Sequence, residues 1–356
     1  MNSLKMIEEF SNAHGVSGFE DEVVALGRKY APKKSALKED SLRNLYIWNP
    51  EDEKSGKPVV QLDAHTDEVG FMVQAIRPNG LLQIIPLGGW VEYTIPAHRV
   101  MVKNREGKYL PGIIATKPPH YMTEGERRAP LDIGQMCIDM GVSSAYAIDK
   151  ELNIGIGAPV VPDTVFEYNE NTGIMMGKAF DCRVGCACMM EVMSRLQDKK
   201  LPVRMVGALS SQEEVGTRGA RVTANAIRPD IALVFEGVPA DDSFAPEYAA
   251  QSVMGKGPML RHADKTMITN PRFQRFALSV AEKQGIPVQE AVRTGGGTNG
   301  AVIHLAAQGV PCIVIGVPVR YPHTHYGYAS YADYQNSVKL GIAVIQALNA
   351  ETIAEF

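Results

Sequence analysis

Residues 58–67 read PVVQLDAHTD, and this stretch indicates the fold of the whole chain. Residues 58–62, PVVQL, are mostly apolar and have the length and the β-branched content of a strand. The segment then reaches His65 and Asp67, two residue types that bind metals or take part in catalysis. In α/β proteins, sites form beyond the carboxyl ends of parallel strands. The stretch therefore predicts an α/β fold with a polar site at one edge of its sheet.

The sequence on either side supports this fold. Towards the N-terminus, the pattern predicts helices over 3–13 and 20–30 and a strand over 43–48. Alternation of strands and helices after about residue 174 predicts a mostly parallel sheet with helices on both faces. The alternating segments are GIMMGKAF (173–180), a helix over 184–197, VRMVGALSS (203–211), IALVFEG (231–237), PRFQRFALSVAEKQG (271–285), TNGAVIHLAAQG (298–309), PCIVIGVPV (311–319) and a closing helix over 331–349.

Residues from about 70 to 165 have a different character. Short β-like pieces are separated by Gly and Pro, as in PNGLLQIIPLGGW (78–90), and helical periodicity is scarce apart from a short helix near 143–148. This spacing predicts a small β-barrel or sandwich inserted into the α/β domain. We therefore place one domain at 1–68 and 166–356 and an inserted β-rich domain at 69–165.

The bulk composition excludes several classes of protein. The chain has 356 residues, 45% of them hydrophobic and 21% charged, and a net charge of −4 at pH 7. That is enough apolar sequence for a normal core, and the charge gives no reason to expect a nucleic acid or an anionic membrane as partner. The N-terminal segment lacks the basic and apolar regions of a signal peptide. The longest apolar runs are far shorter than the ~20 residues of a membrane span.

The five cysteines indicate a reducing compartment. An odd number without paired spacing does not fit a disulfide framework, and we expect a cytoplasmic protein. Three of them, Cys182, Cys186 and Cys188, are close enough in sequence to suggest a thiolate metal site. Because no CxxC pair is present, and because free cysteines usually behave as small buried hydrophobes, we interpret them as packing residues.

Metal-binding residue types recur at the ends of the predicted strands. A single His or Asp in such a place usually caps a strand or belongs to a loop, so each position alone is weak evidence. Five consecutive core strands carry one, however, and the topology brings their ends to one edge of the sheet. The positions are His65 and Asp67, Asp181, Glu213 and Glu214, Glu236, and His323. Together they predict a metal site.

The residue types in this set indicate which metals bind and how many. Two histidines with several carboxylates suit Zn²⁺, Co²⁺ or Mn²⁺ rather than a soft thiolate site. Two metal ions ~3.5–4 Å apart need one carboxylate that bridges them, and Asp181 is the natural bridge. His65 and Glu236 are then left for one ion, and Glu214 and His323 for the other. We therefore expect two divalent ions per subunit, with Zn or Co favoured.

Two pairs of residues each have two interpretations. In an extended segment His65 and Asp67 point the same way, so we expect the Asp67 carboxylate to accept a hydrogen bond from the far nitrogen of His65. The alternative is that Asp67 caps the following turn. Glu213 and Glu214 point in different directions, so one can bind metal while the other acts as general base for a water that bridges the metals. The alternative is a solvated pair stabilised by a helix dipole.

Eight segments, taken in order along the chain, form a recognisable pattern. They are GVSGFE (15–20), LDAHTDEVGFMV (62–73), VVPDT (160–164), GKAFDCRVGC (177–186), SSQEEVGTRGA (210–220), GKGP (255–258), GGGTNGAVIHL (295–305) and VPVRYPHTH (317–325). With them the chain resembles the M42 family of metallo-aminopeptidases, the group of glutamyl and tetrahedral (TET) aminopeptidases. The resemblance implies an enzyme that removes N-terminal residues from peptides. It also implies a bimetal catalytic domain, an inserted dimerisation domain, and homo-oligomers that are dimers or a hollow tetrahedral dodecamer.

Carried over position by position, the resemblance implies one role for each candidate residue. It agrees with the ligands assigned above and separates the two adjacent glutamates. The roles are ligands of one ion at His65 and Glu236, ligands of the other at Glu214 and His323, a bridging ligand at Asp181, a general base at Glu213 and an orienting carboxylate at Asp67.

Three positions depart from the family pattern. The family commonly has Asp where this chain has Glu236, so a ligand distance or the room for the substrate amine is expected to differ. It has Asp where this chain has Asn299, and the amide removes a negative charge near the cleft, so we expect a change in the preference for substrate charge or in a supporting hydrogen bond. It usually has Pro after the metal-binding histidine, where this chain has Thr324 and His325. His325 is therefore an alternative ligand, although we favour His323.

Other functions fit parts of the same pattern. A metal-dependent deacylase or amidohydrolase would use the same two-metal site on a small N-acyl substrate. A glycosidase would need two carboxylates without metal, and a non-catalytic relative would keep only the scaffold. The complete ligand set argues against a non-catalytic relative, although Glu236 and Asn299 depart from the family pattern. The preference for the N-terminal residue stays open.

Overall fold

The computed structural model describes residues 2–356. Its α-helices are α1 (Ser3–Asn12), α2 (Asp21–Tyr30), α3 (Glu124–Arg128), α4 (Phe180–Leu196), α5 (Arg218–Ile227), α6 (Pro271–Gln284), α7 (Gly300–Ile303), α8 (Tyr331–Ala347) and α9 (Ala350–Ala354). Its strands are β1 (Ala36–Glu39), β2 (Leu45–Trp48), β3 (Val59–His65), β4 (Gly70–Ile76), β5 (Leu82–Leu87), β6 (Arg99–Lys103), β7 (Tyr109–Ala115), β8 (Cys137–Asp139), β9 (Pro159–Pro162), β10 (Glu167–Asn169), β11 (Ile174–Gly177), β12 (Arg204–Ser210), β13 (Ile231–Pro239), β14 (Met259–Ala263), β15 (Gln289–Val292), β16 (Cys312–Arg320) and β17 (Gly327–Ser330). No helix in the described range is both long and apolar enough to cross a bilayer.

A mixed sheet dominates the larger domain. Within residues 2–356 it has eleven strands, along the path β1-β2-β12-β3-β13-β16-β17-β11-β10, with β14 and β15 attached beside β16. The four central strands, β12, β3, β13 and β16, are parallel, whereas the strands that flank them pair antiparallel. The predicted α/β class is therefore confirmed, with the parallel pairing of the main path in the centre of the sheet.

Helices cover both faces of this sheet, as predicted. In β13, Leu233 and Phe235 pack into the larger core with α1, α4 and α8, while Ala232 and Val234 pack into a second cluster with α5 and α7. Successive side chains of a strand point to opposite faces, so a strand covered on both sides is apolar at every position. This explains why the segment IALVF is a continuous apolar run.

The inserted domain is a closed barrel with strand order β4-β5-β8-β7-β6-β9. Its apolar centre includes Phe71, Ile84, Val100 and Ile138, which are fully or almost fully buried. These strands lie between residues 70 and 162, inside the range 69–165 that the sequence predicts for this domain. Near the short helix predicted at 143–148, the chain forms a π-helical turn at Ala147–Glu151.

Two predicted helices differ from the observed ones. The helix expected over 184–197 begins earlier, at Phe180, but Asp181 and Cys182 have non-helical backbone angles and are joined by a cis peptide bond. The helix expected over 298–309 spans only Gly300–Ile303. It ends early because the chain turns back through residues 307 and 309, both with positive φ, before it enters β16.

Candidate metal centre

The carboxyl edge of the central strands carries a cluster of histidines and carboxylates. The parallel direction of these strands brings their ends together. The residues are His65 at the end of β3, Glu213 and Glu214 after β12, Glu236 near the end of β13, His323 after β16 and Asp181 at the start of α4. Among the described residues, three groups have ligand atoms within 4.8 Å of one another: His65, Cys182 and Glu236; His65, Glu213 and Glu214; and Asp181, Glu214 and His323.

Asp181 lies between the two histidines. Its Oδ1 is 3.1 Å from Nε2 of His65, and its Oδ2 is 3.2 Å from Nε2 of His323. One carboxylate therefore has a separate oxygen beside each imidazole. Asp181 lies in the first turn of α4, where its backbone angles, φ −84° and ψ 102°, are not helical.

Each histidine also lies beside a glutamate. Nε2 of His65 is 3.3 Å from Oε1 of Glu236, and Nε2 of His323 is 3.4 Å from Oε2 of Glu214. The other oxygen of Glu214, Oε1, is buried and has no hydrogen-bond partner among the described residues. Glu213 is more distant, with its Oε2 4.0 Å from Nε2 of His65. The cluster thus has two similar halves, one with His65 and Glu236 and the other with His323 and Glu214, and Glu213 lies nearest to His65.

Asp67 connects His65 to the loop that carries the two adjacent glutamates. Nδ1 of His65 is 3.1 Å from the Asp67 backbone oxygen and 3.4 Å from its Oδ1. The Asp67 carboxylate accepts hydrogen bonds from the backbone N–H groups of Glu213 at 2.8 Å and Glu214 at 3.1 Å. It also accepts one from the Ser17 hydroxyl at 2.6 Å. No pattern in the sequence identified Ser17 as a residue of the site, although it lies in the GVSGFE segment.

Burial raises the pKa of the three glutamates of the cleft, whereas at Asp181 burial is outweighed by hydrogen bonds from the two histidines, which lower the pKa of that carboxyl. Burial raises the pKa of Glu214 to about 8 and that of Glu236 to about 6. Burial also raises the pKa of Glu213 well above its usual range, and neighbouring carboxylates add to the effect. Charges of one sign crowded in a buried site disfavour each other. A bound cation would relieve this repulsion.

The two histidines show the complementary effect. Burial opposes protonation of His323, but Glu214 and Asp181 outweigh it and raise the pKa to about 10. Burial likewise opposes protonation of His65, but Cys182, Glu236 and Asp181 hold its pKa well above the usual range. The cluster therefore attracts positive charge at both halves. Its imidazole and carboxylate donors, and the unpartnered Oε1 of Glu214, fit divalent cations.

The alternative ligand His325 points away from this cluster. The residue is 1% exposed, and its ring stacks on His98 with the ring centroids 4.2 Å apart, next to Trp90. Burial lowers the pKa of His325 to about 3, and His98 contributes. His98 and Trp90 belong to the inserted domain, so His325 packs between the two domains while His323 faces Asp181.

Asn299 is not among the residues that line the cleft, and of the two consequences expected from the sequence the structure contains a supporting hydrogen bond. It is fully buried, and its Nδ2 donates a hydrogen bond to Oδ1 of Asp63 at 2.6 Å. The other oxygen of Asp63 accepts a hydrogen bond from the Ser210 hydroxyl at 2.6 Å. The amide at this position therefore supplies a donor to a buried carboxylate, and it acts on the strand that carries His65.

A cavity of about 520 Å³ opens in front of the cluster. Besides the acidic residues and His323, its wall includes Arg261, Arg293 and the glycine-rich segment 294–297. Nη1 of Arg261 donates to Asp264 at 2.7 Å, and its Nε is buried without a partner among the described residues. The sequence offered no signal for Arg261, because a single arginine within a short strand has no distinctive pattern.

The chain is similar to known aminopeptidases along almost its whole length. The family model described as M42 glutamyl aminopeptidase matches residues 44–340. The glutamyl aminopeptidase of Lactococcus lactis subsp. cremoris (strain MG1363) is 31% identical, and the match covers 100% of this chain and 99% of that protein.

Solved structures give the same result. The TET aminopeptidase from Thaumarchaeota archaeon SCGC AB-539-E09 superposes with a TM-score of 0.94 at 36% identity, covering 100% of this chain and 99% of that one. The structure of PhTET1-12s, a dodecamer in its asymmetric unit, superposes with a TM-score of 0.86 at 25% identity, covering 98% and 100% of the two chains. The chain therefore belongs to the M42 glutamyl aminopeptidase family, and this membership supports a metal-dependent aminopeptidase activity.

Proposed function

We propose that this chain is a dinuclear, metal-dependent aminopeptidase that removes the first residue of peptides. The observation that carries the proposal is the position of Asp181, with one carboxylate oxygen 3.1 Å from His65 Nε2 and the other 3.2 Å from His323 Nε2. Two-metal hydrolases need a ligand that binds two cations at once. A carboxylate between two imidazoles meets that need.

The ligands divide into two sets that share Asp181. His65 and Glu236 hold one ion, and Glu214 and His323 hold the other. Imidazole and carboxylate donors suit zinc or cobalt. When bound, the two cations polarise the scissile carbonyl and lower the pKa of the attacking water.

Glu213 is the general base of this proposal. Its side chain lines the same cavity as the ligands, and burial raises its pKa well above the usual range, which favours acceptance of a proton. It takes a proton from the attacking water and passes it to the amine that leaves. Asp67 holds the Glu213 backbone by a hydrogen bond of 2.8 Å and so positions the base together with His65.

We also propose that the enzyme prefers peptides with an acidic first residue. Arg261 lines the cavity beside Glu236, its side chain is only 5% exposed, and its buried Nε lacks an acceptor among the described residues. A buried donor without a partner is costly, and a charged carboxylate acceptor forms a strong hydrogen bond with a guanidinium. The preference rests on Arg261, because similar proteins from Lactococcus lactis and Pyrococcus furiosus are named a glutamyl and a lysyl aminopeptidase, respectively.

The assembly and the compartment are part of the same proposal. PhTET1-12s is a dodecamer, and we propose that this chain also forms homo-oligomers, with the barrel of strands β4–β9 as the dimerisation domain. All five cysteines are free and buried, which supports a reducing compartment such as the cytoplasm.

The first test is hydrolysis after metal removal and replacement. The protein would be stripped with a chelator, supplied with zinc, cobalt or manganese, and assayed against a panel of aminoacyl anilides. We expect activity to disappear with chelation and to return with metal. Hydrolysis of N-acyl amino acids in place of free-amine substrates would instead support a deacylase, and chelator-resistant cleavage of glycosides would support a glycosidase.

The second test concerns the base. We expect Glu213→Gln to lower kcat by about 10²- to 10⁴-fold, because the amide cannot accept the proton, while the metal content stays at two ions per chain. Glu170→Gln, which changes an exposed glutamate, is the matched control. A Glu213→Gln protein with both ions and near-normal kcat would show that another group is the base.

A further inference from the structure

Cys182 lies beside one half of the metal centre, and the assignment of ligands above does not use it. We propose that the Cys182 sulfur is a ligand of the ion held by His65 and Glu236, an inference that rests on the proposed two-metal function. This position would then bind soft, thiophilic cations such as zinc and cadmium in preference to manganese. The other position, formed by Asp181, Glu214 and His323, has only nitrogen and oxygen donors.

The distances between the donor atoms support this proposal. The ligand atoms of His65, Cys182 and Glu236 all lie within 4.8 Å of one another. Cys182 Sγ is 3.5 Å from Glu236 Oε2, and His65 Nε2 is 3.3 Å from Glu236 Oε1. Zinc bonds of about 2.0–2.3 Å in a tetrahedron put neighbouring donor atoms about 3.3–3.6 Å apart. Each of the two distances falls in this range, and the Glu236 carboxylate presents one oxygen to the thiol and the other to the imidazole.

Close packing of α4 against β13 brings the Cys182 thiol to the metal centre. Cys182 is fully buried, and its thiol donates a hydrogen bond to the backbone oxygen of Phe235 in β13 at 3.0 Å. A Cβ on Gly185, one turn further along α4, would lie 2.4 Å from this sulfur and 2.4 Å from the same Phe235 oxygen. Gly185 therefore lets α4 approach β13 closely enough for the thiol to reach Glu236.

The other two cysteines of α4 have different surroundings. The Cys186 thiol donates a hydrogen bond to the His65 backbone oxygen at 2.9 Å, and Cys188 is buried in the main hydrophobic core. Neither is a member of the groups of ligand atoms found among the described residues. Their interpretation as packing residues is retained, and the proposal separates Cys182 from them.

A thiolate ligand makes a metal site selective between cations that carboxylate ligands bind about equally well. Thiolates favour zinc over manganese, whereas carboxylates accept both. When the cation binds, the thiol proton passes to solvent and the sulfur–metal bond replaces the S–H bond. The two positions would then differ in metal preference, so one chain could hold two different metals.

The proposal can be tested by following sulfur ligation directly. Metal-free wild-type protein, Cys182→Ser and the matched control Cys188→Ser would be titrated with cadmium while the ultraviolet sulfur-to-cadmium charge-transfer band is recorded. We expect wild type and Cys188→Ser to develop the band with saturation at one equivalent per chain. Cys182→Ser should lack it and bind cadmium at least about tenfold more weakly at one position, with manganese affinity nearly unchanged. A band that persists in Cys182→Ser would overturn the proposal.

A measurement on the wild-type protein covers the case in which Cys182→Ser does not fold. X-ray absorption of the zinc-loaded protein should detect sulfur scattering that averages half a sulfur per zinc, because one of the two ions has one sulfur ligand. Scattering from nitrogen and oxygen alone would refute the inference. Hydrolysis of aminoacyl anilides by that same preparation would leave the aminopeptidase function standing, whereas sulfur ligation without hydrolysis would refute the function alone.

Discussion

A single carboxylate, that of Asp67, ties together three parts of the site. It accepts hydrogen bonds from Ser17 in the N-terminal segment and from the backbone of Glu213 and Glu214, and it lies beside the His65 ring. The carboxylate lies 3.4 Å from the His65 ring nitrogen, and the backbone N–H groups that it binds belong to the loop after β12 rather than to the turn that follows Asp67. Groups in such a position orient ligands as well as bases.

Arg261 permits a test of substrate preference at the scale of one residue. If it binds the side chain of an acidic first residue, Arg261→Gln loses a charged hydrogen bond of about 1.5–3 kcal/mol. We expect kcat/KM for a glutamyl anilide to fall about 10- to 100-fold, with little change for a leucyl anilide. Steady-state kinetics on both substrates would measure this.

The exposed Arg221 in α5 provides the control for that experiment. Arg221→Gln removes the same charge from the molecule at a distance from the cavity wall. An equal loss with both substrates in Arg261→Gln would indicate a structural role for Arg261 and contradict the proposed preference.

Asn299 permits a second test at this scale. Replacement by Asp would put two carboxyl groups at a buried contact of 2.6 Å, and one of them would have to keep a proton. We expect Asn299→Asp to lower the free energy of unfolding by about 1–3 kcal/mol at pH 8 and by less at pH 5, where the shared proton is retained. Urea unfolding at both pH values would measure the effect.

The reciprocal change distinguishes this cause from loss of packing. Asp63→Asn combined with Asn299→Asp restores one amide and one carboxylate across the contact. The double variant should recover part of the stability at pH 8. If it were no more stable than Asn299→Asp alone, the hydrogen bond between these side chains would not be the cause.

At the scale of elements, a buried ionic network joins the N-terminal helix to the metal-bearing strand. Lys178 donates hydrogen bonds to both oxygens of Glu68 at 2.6 and 2.8 Å. Arg183 donates to Glu68 as well, and to the backbone oxygens of Phe10 and Gly15. Because Glu68 follows Asp67 directly, this network places the segment with Ser17 against the end of β3. Removing one partner from a buried ion pair leaves an uncompensated charge, so a substitution at Glu68, Lys178 or Arg183 is expected to destabilise the fold.

A second ion pair holds the end of β16, just before the loop with His323. Arg320 donates to both oxygens of Asp242, from Nε at 2.9 Å and from Nη2 at 2.7 Å. The Arg320 hydrogen bonds lower the pKa of Asp242 below its usual range. A carboxylate with a lowered pKa contributes stability above its unfolded pKa, and this contribution is lost as the pH falls through the folded value.

We therefore expect Asp242→Asn to lower the free energy of unfolding by about 1 kcal/mol at neutral pH, since water screens the 33% exposed Arg320 side chain. The difference from wild type should shrink below about pH 4, where the carboxylate of the unfolded wild-type chain is protonated. Denaturant titrations from pH 3 to 7 would measure it. A difference that stayed constant over this range would exclude ionisation of Asp242 as its source.

At the scale of the whole molecule, metal binding should stabilise the fold. The buried carboxylates of the cluster repel one another without cations, and a ligand that binds only the folded state adds about 2.7 kcal/mol at a concentration 100 times its Kd. We expect the thermal midpoint of the metal-free protein to rise on addition of zinc. Calorimetry with and without zinc would detect the rise.

The variant Asp181→Asn tests whether the rise in the thermal midpoint comes from metal binding at the proposed centre. It weakens a ligand shared by both ions, so the increase in the thermal midpoint should become much smaller. A zinc-dependent rise of the same size in Asp181→Asn would assign the stabilisation to another site.

The sequence predicted some elements well and others poorly for identifiable reasons. Strands β13 and β16 are buried on both faces, and most of each is a continuous apolar run that is easy to recognise. Strand β3 is also buried, but its sequence VVQLDAH is interrupted by Gln61, Asp63 and His65. The short edge strand β1, with the sequence ALKE, has no buried residue. Its sequence therefore lacks the apolar pattern by which a strand is recognised. The helix α7 is shorter than predicted because a helical pattern carries no information about where the chain must turn back to reach β16.

The order of residue types along the chain determined the α/β class, the inserted barrel and the set of candidate ligands, because periodicity and position at strand ends are local properties. Only the tertiary structure decided which of these residues meet. His323 approaches Asp181 across 142 positions of sequence, while His325, two residues later, turns into the aromatic contact with His98. The positive φ of 57° at His323 reorients the backbone there. Distances between remote side chains depend on how the elements pack, and no local pattern encodes them.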